Sequence, residues 1–444
     1  MSHVVVIGNG GREHAIAWKL AHSPSVTKLT LAPGNSLFRI KKRNNCTLQL
    51  WECDLSLGQK EFKRLSEIAK KDHVDLVIVG PDNPLSEGIV DVFQRDGLLC
   101  FGPTAKAAQI ESSKSFAKQI MQKANVPTPD YFEFTNLNGA IEKLNVLPWS
   151  QDKGWVIKAD GLALGKGVVV CDELSLALKE VEPLFNISKK IIIEEKVKGV
   201  ELSVLALCDG EDCVLLDTAK DYKRIFDNDK GPNTGGMGVF SPVVEFNTAR
   251  WKSKFKDEIF TPVLKQLKKE GLPFCGVLYA GLMIDQERGH YHVLEFNARF
   301  GDPETQALLS RMEDDLFQWC YSCAKGKLSQ KASEILFSNE VVVYVVAASQ
   351  GYPASAKKGD QLFCENSDLL NALDLSEPHP RYFMAGVKKS QGEKIVTNGG
   401  RVLGAIGKDL DFSKATEKAY SYLSHLKFEG MQFRNDIGLR GSSS

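Results

Sequence analysis

The chain of 444 residues has no surplus of either charge, with 56 basic residues against 56 acidic ones. That balance gives no reason to expect nucleic acid or a membrane surface as the main partner. It also lacks an apolar run long enough to cross a bilayer. The opening Met-Ser-His-Val-Val-Val-Ile-Gly reads as a strand, not as the basic-then-apolar pattern of a secretion signal. The 10 cysteines are scattered singly, as expected in a reducing cytosol. Cys320 and Cys323 form one CxxC in a helical pattern, with no second pair to complete a zinc site, so an inert pair is expected. What is present is ordinary globular composition, 43% hydrophobic and 25% charged, in a chain too long for one core. The expectation is a cytosolic protein of two to four domains.

The stretch from 293 to 304, VLEFNARFGDPE, organises the rest. Val293, Leu294 and Phe296 mark a strand, and Glu295, Asn297 and Arg299 recur every second residue, which puts them on one face. A carboxylate and an amide oxygen side by side form a hard-oxygen half-site. It suits a magnesium ion that keeps its other positions for water and nucleotide phosphates. A solvated surface strand would explain Glu295 alone, but not the whole run. Gly301, Asp302 and Pro303 end the strand.

Elsewhere, strand signals alternate with helices, each strand ending in a Gly/Pro turn. The first is 3–8, followed by Asn9-Gly10-Gly11-Arg12-Glu13-His14, then 29–32, 76–79 before Gly80-Pro81, and 98–101. This predicts a doubly wound parallel sheet over 1–103 with ligands at the carboxyl ends of its strands. Gly8 and Gly10 fit the dinucleotide fingerprint, but Glu13 stands at its third glycine. A single phosphate is therefore favoured over a dinucleotide, with a purely structural turn as the competitor. Single helices are expected over about 84–95, 104–125 and 304–325, and an amphipathic, solvated one over 251–270.

Residues 155–170 read as strand, glycine loop, strand, carrying Lys158, Gly161, Gly165, Lys166 and Gly167. The spacing is not that of a P-loop; such a loop can instead fold down over phosphates. Lys158 between apolar neighbours needs a partner, and a phosphate is a natural one; a glycine-rich hairpin with a surface lysine is the alternative. The apolar strand ending at Glu194 and Glu195 could hold a nucleobase edge or be a solvated strand end. Lys114 in ESSKS is a candidate only. The segment 231–238, GPNTGGMG, must be a shaped loop. Residues 335–435 read as a third, α+β unit, in which Gly399-Gly400-Arg401 is equally a site or a hairpin loop, and 436–444 as a tail ending in disordered Gly-Ser.

Taken in order, the Lys158 strand with its glycine loop, the Glu194–Glu195 strand end and the Glu295/Asn297 pair resemble the ATP-grasp superfamily. GNGGREHA, ESSKSFAK, GPNTGGMG and LEFNARFGDPE are similar to the phosphoribosylamine–glycine ligase family within it, and the likeness extends to FEGMQFRNDIG near the end. The resemblance implies an N-terminal parallel-sheet domain, a central ATP-grasp pair over 104–334 with a lid at about 126–195, and a small C-terminal α+β domain. It implies ligation of glycine to 5-phosphoribosylamine with ATP, through a glycyl phosphate, in purine synthesis. Mg2+ or Mn2+ would sit on Glu295 and Asn297. ATP would meet Lys114, Lys158, Gly161, Gly165, Lys166, Gly167, Glu194, Glu195, Lys196, Val197, Glu201, Arg224 and Asn233. Arg299, Lys158 and Asp302 would be catalytic. Gly10, Gly11, Asn35, Gly80, Pro81, Arg299, Asp302 and Pro303 would face the other substrates.

The implied partners are these small molecules and other purine-pathway enzymes, with no nucleic acid and no membrane. Two stretches differ from the family's usual pattern: bulky and basic residues over 36–43, and Asp82-Asn83 after Gly80-Pro81. Both fall in the expected ribosylamine site. A different ATP-grasp carboxylate–amine ligase and an inactive nucleotide-binding relative are the alternatives.

Overall fold

The computed structural model describes residues 2–40, 46–150, 153–162, 167–286, 289–331, 334–365 and 368–439. Its first sheet has five parallel strands in the order Thr47–Leu50, Val26–Pro33, Ser2–Gly8, Leu76–Val79, Cys100–Phe101. Val4, Val5, Val6 and Ile7 are fully buried, as a strand covered on both faces requires. The chain order reverses between Ser2–Gly8 and Leu76–Val79, so their carboxyl ends, Gly8 and Val79, open onto the crevice where a doubly wound sheet binds its ligands.

A second sheet is antiparallel, in the order Tyr131–Phe134, Ile191–Glu195, Trp155–Ala159, Val168–Cys171. With the helices Leu137–Val146 and Leu174–Ser188 it encloses its own small core around Leu144, Ile157, Val181 and Ile193, separate from the main one. Period-two alternation turns Ile157 and Ile193 into that core, and Lys158 and Glu194 toward the opposite face.

The central sheet runs Cys213–Leu215, Val200–Asp209, Cys275–Asp285, His290–Asn297, all antiparallel. Gly281 pairs with Glu295 but Leu282 pairs with Val293, so Leu294 is a bulge residue. A bulge re-aims the side chains beyond it. Past it, Phe296 and Ala298 are buried, while Glu295, Asn297 and Arg299 share the opposite, cleft-facing side.

The third large sheet departs from a self-contained 335–435 unit. Its order is Lys220–Asp221, Gly238–Ser241, Val341–Ala348, Arg401–Asp409, Tyr382–Met384, so two strands come from earlier in the chain. Val341–Ala348 is buried along all eight residues. A buried strand needs ladder partners on both edges, because an unpaired backbone there would be left without hydrogen bonds.

Each expected long helix is interrupted. Gly88, at φ +87°, divides Asp82–Ser86 from Ile89–Arg95. Ser113 is extended between Gln109–Ser112 and Lys114–Lys123, and its hydroxyl accepts the Phe116 N–H at 3.1 Å as an N-cap. Asp315 caps Leu316–Ala324 after Glu304–Arg311 ends. The 251–270 region is three helical pieces whose Phe255, Ile259, Phe260 and Leu267 belong to the main core, so it is half buried rather than wholly solvated. Cys320 and Cys323 are buried thiols with their pKa pushed up by burial, as an inert pair should be. Among the described residues no helix is long and apolar enough to cross a membrane.

Candidate active site

The glycine turn after the first strand is shaped by Glu13. Its carboxylate accepts the Gly10 N–H at 2.7 Å and is paired with Arg12 Nε at 2.6 Å. A Cβ on Gly8 would lie 2.6 Å from Glu13 Cγ, and one on Gly80 would lie 2.1 Å from Glu13 Oε1. The glycines therefore make room for a glutamate belonging to the same chain, and the carboxylate covers the backbone that a dinucleotide pyrophosphate would need to approach. The sequence at Glu13 does not break a dinucleotide motif; it builds a different object. Gly80 and Pro81 border this glutamate and line neither of the two cavities described next.

The larger cavity, about 1010 Å³, lies between the second sheet and the central sheet. It brings together Lys114, Lys158, Gly161, Gly167, Glu194, Glu195, Lys196, Val197, Glu201, Arg224, Asn233, Glu295, Asn297, Arg299 and Asp302. Gly165 and Lys166 lie outside the described residues. The smaller cavity, about 370 Å³, takes Gly10, Gly11, Asn35 and Asp302. Asn35 spends its amide on the wall itself, donating to the Val387 carbonyl at 2.9 Å. Pro303 packs against Gly236, whose Cβ would meet it at 2.4 Å, and lines neither cavity.

Glu295 sits among cations. Lys223 Nζ is 3.4 Å from its carboxylate, and its side chain remains 36% exposed to the cleft. Lys223, with help from Lys158 and Lys114, outweighs burial and holds the Glu295 pKa down at about 2. The carboxylate is ionised at any physiological pH, as a metal ligand must be. Asn297 Oδ1 lies on the same face and accepts a hydrogen bond from Arg299 Nη2 at 3.1 Å. Glu111 holds Arg299 from the other side at 2.9 Å. Burial pushes the Glu111 pKa up, opposed by the Arg299 charge and by the Ala298 N–H that it accepts at 2.7 Å. The guanidinium is thus aimed by its neighbours, with Nε still unpartnered and buried.

On the lid side, Lys158 is ion-paired with buried Glu194 and donates to the Leu294 carbonyl at 3.1 Å, the oxygen freed by the bulge. Glu194 also meets Lys118 at 2.7 Å. Burial lowers the Lys118 pKa to about 8. Lys114 Nζ donates to the Gly161 carbonyl at 2.8 Å, and Asp160 accepts from Ser113 at 3.2 Å and from the Ser115 N–H at 3.3 Å. The helix start thus grips the foot of the glycine loop. Deeper in the cleft, Glu304 accepts from Tyr279 at 2.7 Å and Ser203 at 3.0 Å. Burial and the Glu304 charge raise the neighbouring Asp221 pKa well above the carboxylate range.

Several of these groups were not singled out from sequence. Lys118 lies four residues after Lys114, one helical turn on, and that spacing was a usable signal. Glu111 opens ESSKSFAK and Glu304 closes LEFNARFGDPE, inside the recognised motifs. Arg401 stood in the Gly399-Gly400-Arg401 stretch, equally a site or a hairpin loop from sequence; its partner Asp302, 2.9 Å away, lies 99 residues earlier in the chain. Of the divergent stretches, Asp82 lines the larger cavity, not the smaller. Residues 36–40 are mostly packing: Phe38 is buried with its ring 4.2 Å from His14, and Arg39 exchanges backbone hydrogen bonds with Leu373 and Leu375. Only Ser36 of that stretch lines the smaller cavity.

Comparison with known proteins agrees along the whole chain. The N, ATP-grasp (A) and C domains of phosphoribosylglycinamide synthetase match residues 2–111, 112–305 and 342–440. A phosphoribosylamine–glycine ligase of Neisseria meningitidis serogroup A is 41% identical over 440 residues, covering 98% of each chain. The one from Escherichia coli K12 is 39% identical over 446 residues, again covering 98% of each. The crystal structure of the Thermotoga maritima phosphoribosylamine–glycine ligase is 30% identical, with a TM-score of 0.78 over 98% of this chain and all of that one. A biotin carboxylase domain from Hydrogenobacter thermophilus, solved with MgADP and bicarbonate, shares the fold at 15% identity and a TM-score of 0.67, covering 98% of this chain and 92% of that one.

Proposed function

The chain belongs to the phosphoribosylglycinamide synthetase family, and from that premise we propose how its residues perform the ligation. It joins glycine to 5-phosphoribosylamine at the expense of ATP, giving glycinamide ribonucleotide, ADP and phosphate in purine synthesis. The observation that carries the reading is the meeting of two unlike cavities. One holds Lys114, Lys158 and Lys223 around an ionised Glu295, and the other is built from the Gly10–Gly11 turn and Asn35.

Phosphoryl transfer is mainly positioning and charge neutralisation. The nucleotide enters the larger cleft with its base along Glu195, Lys196 and Val197, where a strand edge presents backbone donors and acceptors. Glu194, Glu201, Arg224 and Asn233 border it. Lys158 and Lys114 face the phosphates. Glu295 and Asn297 fit a divalent ion, Mg2+ or Mn2+: one permanently charged oxygen and one amide oxygen share a face, and the cluster of lysines marks where phosphate belongs. Bound there, the ion would draw charge from the phosphate tail. Arg299, aimed by Glu111, holds the glycine carboxylate as it takes the γ-phosphoryl group. The 161–167 loop, carrying Gly161, Gly165, Lys166 and Gly167, covers the glycyl phosphate and keeps water from it. The ribosylamine enters the smaller cavity beside Gly10, Gly11 and Asn35.

The reading divides the chain at about residues 103 and 334, with the lid at 126–195. It places the protein in the cytosol among enzymes that exchange the same small molecules. The test is ADP release by purified protein with each substrate omitted in turn. Release must require ATP, glycine and ribosylamine together with a divalent ion. Equal release with another amine, or ATP binding with no glycine-dependent turnover, would replace this reading with a different ligase or an inactive relative.

A further inference from the structure

Among the described residues the two cavities have just two lining residues in common, Asp302 and Arg401. One is an acid on the loop after the metal strand; the other opens a strand of the third sheet. Asp302 Oδ2 accepts Arg401 Nη2 at 2.9 Å, and its Oδ1 accepts Gln306 Nε2 at 2.8 Å. Arg401 Nη1 donates to the Asp302 carbonyl at 2.6 Å and the Gly235 carbonyl at 2.5 Å. A Cβ on Gly235 would lie 3.1 Å from Arg401 Cζ, so the guanidinium lies close against that backbone and a side chain there would press on it. Burial pulls the Arg401 pKa down, but Asp302, with Tyr352 and Asp221 behind it, more than compensates. Both side chains keep partial access, 21% for Arg401 and 18% for Asp302. On the other side, the Cβ position of Gly10 is 4.0 Å from Asp302 Oδ2. The carboxylate therefore stands at the one place from which groups in both cavities can be reached.

We propose that Asp302 is the proton acceptor for the ribosylamine nitrogen and that Arg401 is the positioning residue that fixes its carboxylate in the opening between the cavities. This rests on the ligase reading above. The nitrogen lone pair forms the C–N bond to the glycyl carbonyl carbon. Its N–H proton becomes acidic as that bond forms, and the Asp302 carboxylate takes it. Collapse of the tetrahedral adduct expels phosphate with the electron pair of the C–O bond, leaving the amide and a protonated Asp302. Arg401 and Gln306 each hold one carboxylate oxygen, and Oδ2, the one nearer Gly10, takes the proton on its remaining lone pair.

The experiment is a single-turnover rapid quench with ATP, Mg2+, glycine and ribosylamine all present, following ADP and amide separately. Asp302→Asn preserves size and keeps one oxygen for Arg401, with Gln306 turning its own amide oxygen to the new NH2, but cannot accept a proton. Its ADP formation is expected within about threefold of wild type, while amide formation slows by about a hundredfold, the ordinary size of a general-base effect. Arg401→Ala should show the same split, with partial recovery on adding guanidinium ion, and Arg401→Lys should lie between. If ADP and amide formation slow together in Asp302→Asn, the pair is only a tie between loops and the proposal falls. If Asp302→Asn makes amide at the wild-type rate, it falls equally. A wild-type enzyme that forms ADP but no amide would instead remove the ligase reading.

Discussion

The two walls of the large cleft are built on opposite principles. The central-sheet wall, carrying Glu295, Asn297 and Arg299, is continuous with the main core that it shares with the first sheet, whose glycine turns are filled in. Gly8 and Gly80 are occupied space, claimed by the Glu13 side chain. The lid wall, carrying Lys158 and Glu194, has a separate small core. Gly161, at φ +110°, has no atom of the described residues within 4 Å of its Cβ position. One set of glycines gives rigidity by admitting a side chain; the other gives freedom by admitting nothing. A glycine motif states no function until what stands beside it is known.

The strongest way to break this contrast is at the fixed wall. Glu295→Ala should lower turnover by about a thousandfold or more while the protein still folds at neutral pH, since the charge serves phosphate rather than packing. Near-normal activity at saturating Mg2+ would refute the metal assignment. At the lid wall the expectation reverses toward stability. Glu194→Ala strands Lys118 and Lys158 in a buried site and should cost about 3–5 kcal/mol. Hydrogen exchange should show that loss mainly in the lid strands, with the central sheet still protected.

The glycines sharpen the comparison. Gly8→Ala forces a Cβ into Glu13 and should destabilise the whole fold by about 1–3 kcal/mol in chemical denaturation. Gly161→Ala meets no atom of the described residues, so global stability should hold while turnover falls several-fold through the strained loop. Equal stability loss in both would erase the distinction.

The smallest effects lie at the two ends of the pH scale. Glu295 has a folded pKa of about 2 against 4.5 ordinarily, so its contribution is full above about 4.5 and is lost as pH falls toward 2. Lys118, lowered to about 8 from 10.5, gives a slope of the same sign at the other end: the unfolded chain binds more protons between those values, so stability rises with pH across them. Urea titrations should find the acid slope reduced in Glu295→Gln and the alkaline slope reduced in Lys118→Met.

Much of this was legible in the chain. Alternation along 293–299 placed Glu295, Asn297 and Arg299 on one face, and strand–turn repetition announced the parallel sheet. The helix breaks at Gly88 and Ser113 escaped notice because apolar periodicity continues across a single non-helical residue. Glu13 was read as a missing glycine because its role depends on Gly80, from another strand.

Sequence alone determined which side chains share a strand face and where the chain turns, because those follow from neighbouring residues and their backbone preferences. Tertiary structure alone decided that Arg401 meets Asp302, that Leu294 bulges to offer its carbonyl to Lys158, and that the third sheet borrows strands from the 220–241 region. Such pairings are energetic choices among distant groups, made only once burial has removed water as their competing partner.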